Sequence, residues 1–114
     1  MDFYCDEIIS GKTPVDKIVE TEQLIAFHHT KPYWEVHVVV IPRRHIESLA
    51  TLDPMEEVLL IEFMRTLSEL TQQISTQHRG CRVSTNVGPY QNTKHLHWYI
   101  HAGKRLRDEA GQPL

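Results

Sequence analysis

In Lys94-His95-Leu96-His97-Trp98-Tyr99-Ile100-His101, polar and apolar side chains alternate without a break from His95 onward. A period of two marks a half-buried β-strand, in which residues two apart share a face. His95, His97, Tyr99 and His101 then point one way, while Leu96, Trp98 and Ile100 point the other way into apolar packing. Three imidazoles and a phenol are costly to cover with hydrocarbon, because each polar group needs a partner. That face is read as a site; the alternative is an exposed polar face on an edge strand.

Outward from this strand, Val36-His37-Val38-Val39-Val40-Ile41-Pro42 is a run of β-branched residues. It predicts a central strand covered on both faces and closed by Pro42, which cannot donate to the ladder. Lys17–Glu20 and Leu24–His28 are shorter β-favouring runs joined by the polar Thr21-Glu22-Gln23, hence a hairpin. A long helix is expected from Asp53 to about Gln77, with Asp53 as N-cap, Pro54 at the first helical position and Glu56 completing a capping box. Leu60, Phe63, Met64, Leu67, Leu70 and Ile74 give it one apolar stripe, and Gly80 is its stop. Arg82–Val87 reads as a further strand, and the loop Gly88–Thr93 brings backbone N–H groups within reach of a phosphate. A short helical turn at Cys5–Gly11 begins the chain. The order predicts an α+β fold, an antiparallel sheet with one large helix packed on it.

At 114 residues the chain is expected to form a single domain, 1–114, and its 40% hydrophobic and 24% charged residues suit a soluble one. A net charge of −3 argues against a nucleic-acid or anionic-membrane partner. The apolar runs Val38–Ile41 and Val58–Ile61 are too short to span a bilayer. The acidic start, Met-Asp-Phe-Tyr-Cys-Asp-Glu, lacks the layout of a signal peptide, and Cys5 and Cys81 form neither a disulfide framework nor a C-x-x-C pair. A cytoplasmic location is expected. The eight histidines are the main functional lead, although His28 and His78 read as ordinary surface or core residues. Zinc would want three or four closely spaced ligands, and His95 and His97 have only Cys5 and His45 as remote partners. Covalent catalysis fits better, since a neutral imidazole attacks phosphorus directly.

His95-Leu96-His97-Trp98-Tyr99 resembles the signature of the histidine triad (HIT) family, His-φ-His-φ-His-φ-φ, with Tyr99 in the third place. Four further segments follow the family order: Tyr4–Pro14, Leu24–Phe27, His37–Ile46, and Asn86 with Gln91. The resemblance runs from about Phe3 to Gly103. It implies a five-stranded antiparallel sheet with one long helix and a short N-terminal helix, usually in a homodimer. It further implies a purine nucleotide bound beside the last strand and two-step transfer of a nucleoside monophosphate. His97 would be the nucleophile at the α-phosphorus, His95 would hold it in the useful tautomer, and His37 would complete that network. Asn86 and Gln91 would bind phosphate oxygens. Tyr4, Ile8, Ile18 and Phe27 would wall the base.

Three departures from the family pattern carry consequences. Tyr99 donates a hydrogen bond but rarely carries positive charge, and His101 is the candidate to compensate. His29 stands where relatives carry Asp or Asn for the ribose hydroxyls, and Asn92 stands where they carry Ser or Thr beside the leaving group. The N-terminal C-x-x-C of zinc-containing relatives is reduced to Asp2 and Cys5, which with His45 and His95 leaves an Asp-Cys-His-His set; with Asp2 at the terminus, no cofactor is expected. The expected function is a nucleotidyl hydrolase or transferase acting on a nucleoside phosphoramidate or dinucleoside polyphosphate. The alternatives are a nucleotide-binding HIT protein with little or no turnover, and a metal-binding protein using His95, His97 and Cys5.

Overall fold

The computed structural model describes residues 2–53 and 55–114. The β-branched run lies at the centre of a five-stranded antiparallel sheet of order β1-β2-β3-β5-β4. Its strands are β1 (Lys17–Glu20), β2 (Leu24–His28), β3 (Trp34–Pro42), β4 (Arg82–Thr85) and β5 (Trp98–Arg105). The hairpin has the bounds expected of it, with Thr21 capping its turn through bonds to the Gln23 and Leu24 amides.

The period-two pattern sorts the sheet into two faces. Leu24, Ala26, Val38, Val40, Leu96 and Ile100 pack against the long helix, α1 (Glu57–His78). Ile25, Phe27, Val39 and Ile41 pack on the other face with Tyr4 and Ile8, from a six-residue π-helical segment, Tyr4–Ile9. Each such side chain contributes about 1.5–3 kcal/mol when fully buried. The two layers fix β3 and β5 between them; those strands carry His37 and His101, and His95 and His97 lie just before β5.

Three expectations change. The helix begins at Glu57, not Asp53, because the Asp53 carboxylate accepts the Met55 N–H in a tight turn and the Glu56 side chain pairs with Arg44 instead of closing a capping box. The expectation for Pro54 lies outside the described residues. On α1 the seat is Leu59, Phe63, Thr66, Leu67, Leu70 and Ile74, while Met64 is 55% exposed and Leu60 only partly buried. The helix ends as Arg79 turns to a positive φ of 60°, just before Gly80. Finally, β4 stops at Thr85, and β5 runs from Trp98 to Arg105, not Lys94 to His101. The backbone of residues 94–97 is engaged elsewhere: the His95 N–H donates to the Thr93 carbonyl and the Leu96 N–H to that of Ile46 at 2.6 Å.

Candidate active site

His95 and His97 therefore sit on the approach to β5, and the alternation of buried faces begins before the ladder does. His95 is fully buried, and its Nε2–H donates to the Pro42 carbonyl at 2.8 Å. His97 donates Nδ1–H to the His95 carbonyl at 2.7 Å, so its lone pair is on Nε2. Its own carbonyl accepts the Thr85 hydroxyl at 2.7 Å, tying the approach to β4. Burial pulls the His97 pKa down further than the His95 carbonyl raises it, so the imidazole is neutral at pH 7. A neutral imidazole with a free Nε2 lone pair is a nucleophile.

Tyr4 and Tyr99 flank His97, each with its ring centre 5.0 Å away. Burial pushes both phenols up, so both stay protonated. Beyond them lies a cavity of about 670 Å³ lined by Tyr4 and Tyr99, with His97 behind them at 3% exposure. His37 does not reach His97. Its Nδ1 accepts the Tyr33 N–H at 3.0 Å, its ring stacks on His29 at 4.3 Å, and Tyr99 stands between it and His97. His101, instead of backing up Tyr99, stacks on Trp34 at 3.8 Å.

Asn86, Asn92 and His29 line the cavity as expected of ligand contacts. Gln91 does not. It is buried, and its amide donates to the Glu47 carbonyl at 2.6 Å, pinning the loop before His95. Ile8 and Phe27 are core residues, and Ile18 is 37% exposed on the edge strand β1. The cavity also uses Lys31, Tyr33, Trp34 and Arg105, which the sequence pattern does not single out as ligand contacts. The adjacent aromatics Tyr33-Trp34 at the start of a strand are the one signal that could have found them.

Residues 10–106 match the HIT domain family model. The chain belongs to the HIT domain family. An uncharacterized HIT-like protein of Helicobacter pylori is 29% identical over 102 residues, covering 88% of this chain and 95% of that one. A HIT family hydrolase from Clostridium thermocellum is 25% identical with a TM-score of 0.79, covering 95% of each chain. A hypothetical histidine triad nucleotide-binding protein from Sulfolobus tokodaii is 27% identical with a TM-score of 0.77, covering 88% of this chain and 67% of that one.

In this HIT chain the Asp-Cys-His-His set, from which the sequence predicts no cofactor, is drawn together. The donor atoms of Asp2, Cys5, His45 and His95 lie within 4.8 Å of one another. Asp2 is not a loose end: its Oδ1 accepts the Cys5 N–H at 2.8 Å, its carbonyl accepts the Asp6 N–H, and its side chain is 5% exposed. Its Oδ2 lies 2.6 Å from His45 Nδ1 and 3.2 Å from His95 Nδ1. His95 donates through Nε2, so Nδ1 is the nitrogen turned to the carboxylate, where its deprotonated form would ligate a cation lying between them. Burial pushes the Asp2 carboxyl up, but the Cys5 N–H and His95 outweigh it and hold its pKa below the usual value. Burial, with Asp2 beside it, pushes the Cys5 thiol up to about 11. Two nitrogens, a sulfur and an oxygen form a donor set suited to zinc.

Proposed function

We propose that this HIT protein is a nucleotidyl hydrolase or transferase that attacks the α-phosphorus of a nucleoside phosphoramidate or dinucleoside polyphosphate through His97. The observation that carries the proposal is the locked tautomer of His97, neutral and with its Nε2 lone pair free. The hydrolase from Clostridium thermocellum and the nucleotide-binding protein from Sulfolobus tokodaii, both similar to this chain, support it.

In the first step the Nε2–P bond forms and the bond from phosphorus to the leaving nitrogen or oxygen breaks. The leaving group takes its proton from water, since Asn92 can donate a hydrogen bond but cannot relay a proton. The His95 carbonyl stabilises the Nδ1–H of the resulting nucleotidyl-histidine. Water or an acceptor then breaks the P–N bond and regenerates His97. Asn86 and the Tyr99 hydroxyl donate to phosphate oxygens as negative charge builds. Access to Nε2 requires Tyr4 and Tyr99, which flank His97, to move apart.

The same proposal takes the ligand as a purine nucleotide and the protein as a cytoplasmic homodimer. Dimerisation is supported by the edge position of β4, with Val83 43% exposed, and by Val58 and Ile61 of α1 at 70% and 53%. Asp2, Cys5, His45 and His95 would hold a metal whose role is a structural cross-link between the N-terminus and the base of the His97 loop.

A second proposal, nucleotide binding without turnover, is favoured by the burial of His97 behind the two phenols. Release of nucleoside monophosphate from a panel of phosphoramidates and dinucleoside polyphosphates separates the two. Turnover on any of them supports catalysis, and saturable binding without turnover supports the second proposal.

A further inference from the structure

Two hydrogen bonds determine what the far wall of the cavity offers. The Lys31 N–H donates to His29 Nδ1 at 2.9 Å, and the Tyr33 N–H donates to His37 Nδ1 at 3.0 Å. A backbone amide only donates, so both Nδ1 atoms are lone-pair acceptors and both Nε2 atoms carry the hydrogen. The rings stack at 4.3 Å, 18° from parallel, and both line the cavity. The pair therefore carries two N–H donors, that of His37 covered from solvent in this structure, and both of its acceptor sites are already taken.

The donor on His37 is unused. His37 is only 4% exposed, and its Nε2 is the one buried side-chain nitrogen or oxygen without a partner among the described residues. An unmet buried donor is costly and calls for an acceptor. Burial holds His29 at about 4 and His37 at about 3, so both are neutral and supply donors but no charge. Charge comes from Lys31 and Arg105, which line the same cavity against one carboxylate, Glu109. Arg105 is placed by its Nε–H bond to the Arg107 carbonyl at 2.6 Å and by its guanidinium 5.3 Å above the Trp34 ring.

We infer that His29 and His37, with Lys31 and Arg105, form a second oxyanion station, which takes a phosphoryl group of the ligand other than the one presented to His97. The two stations share one neighbouring ring: Tyr99 is 5.0 Å from His97 and 4.9 Å from His37. A donor-only wall beside two cations matches an acceptor-only anion and mismatches a free diol, whose hydroxyls also need acceptors. This rests on the nucleotide reading above and narrows it to ligands with two separated phosphoryl groups. The second group is either on the sugar or further along a polyphosphate chain.

The test is calorimetric titration of the whole protein with adenosine 5′-monophosphate, 5′-diphosphate and 3′,5′-bisphosphate, repeated on His29→Phe and His29→Asp. His29→Phe keeps a stacked ring but removes the donor, and His29→Asp replaces the donor with an acceptor. The expected result is binding about tenfold tighter or more for a ligand with the second phosphoryl group. Both variants should bring that ratio close to one. A gain for the bisphosphate alone assigns the station to the sugar, and a gain for the diphosphate alone assigns it to the chain. Equal affinity for all three, a ratio that survives both variants, or no binding of any of them overturns the inference. Turnover of nucleotide substrates with a ratio of one defeats this inference alone, and a tenfold ratio without turnover defeats only the catalytic reading.

Discussion

The Tyr99 ring lies 5.0 Å from that of His97, and with Tyr4 at the same distance it screens the buried imidazole from the cavity. In the proposed reading Tyr99 takes the third place of the HIT motif, where a protonatable imidazole would loosen this screen and offer charge to the leaving group.

Tyr99→His is therefore expected to raise nucleotide turnover roughly tenfold or more at pH 6–7, with ligand affinity changed little. Steady-state kinetics of the variant against the wild type measures it. An unchanged or lower rate in a folded variant shows that the third position does not limit turnover.

Gln91, expected at the phosphate, instead holds a loop. Gln91→Ala removes the amide that satisfies the Glu47 carbonyl and should cost about 1–2 kcal/mol of stability, with nucleotide affinity nearly unchanged. Urea unfolding and a binding titration on the same sample separate the two roles. A large loss of affinity with full stability reverses the assignment.

Stability should fall with acid in a window set by two buried imidazoles. His29 and His37 are held at about 4 and about 3 by burial, below an ordinary value of 6.5. Between those values the unfolded chain binds protons that the folded one refuses, so folding stability is complete above about pH 6.5 and is lost progressively as pH falls towards 4 and 3. A tenfold difference in proton affinity between the folded and unfolded chain corresponds to about 1.4 kcal/mol, so the loss should reach a few kcal/mol. Urea midpoints at pH 7 and pH 5 measure it, and His37→Phe should flatten the slope. Equal midpoints in the wild type count against the burial of these rings.

Untagged protein is expected to take up about one zinc per chain, with a rise in Tm, through Asp2, Cys5, His45 and His95. Cys5→Ser and His45→Ala should each weaken uptake and abolish the rise. Elemental analysis after incubation with zinc and removal of excess decides it, and protein that stays metal-free shows the quartet to be a hydrogen-bonded cluster.

The sheet is legible in the sequence because its strands are β-branched or strictly alternating, signals that depend only on which face is buried. The helix start is not, since Asp53 has the chemistry of a cap and spends it on Met55. The β5 boundary is hidden for a related reason: residues 95–97 keep the alternation of a strand while the backbones of His95, Leu96 and His97 bond to Thr93, Ile46 and Thr85 respectively. At the site, the motif order is enough to single out His97, His95 and Tyr99. Spacing alone cannot show that Tyr99 separates His37 from His97, that Tyr33 and Trp34 join the cavity, or that Asp2 is tied back onto Cys5. Those are contacts between residues distant in sequence or aimed by a turn, and no local pattern encodes them.

The most direct measurement is the rate of nucleoside monophosphate release by His97→Ala beside the wild type, on whichever phosphoramidate or dinucleoside polyphosphate the wild type turns over fastest. The expected result is a loss of about 10³-fold or more, with the variant folded and still binding the nucleotide. A variant that keeps the wild-type rate would contradict the assignment of His97 as the nucleophile.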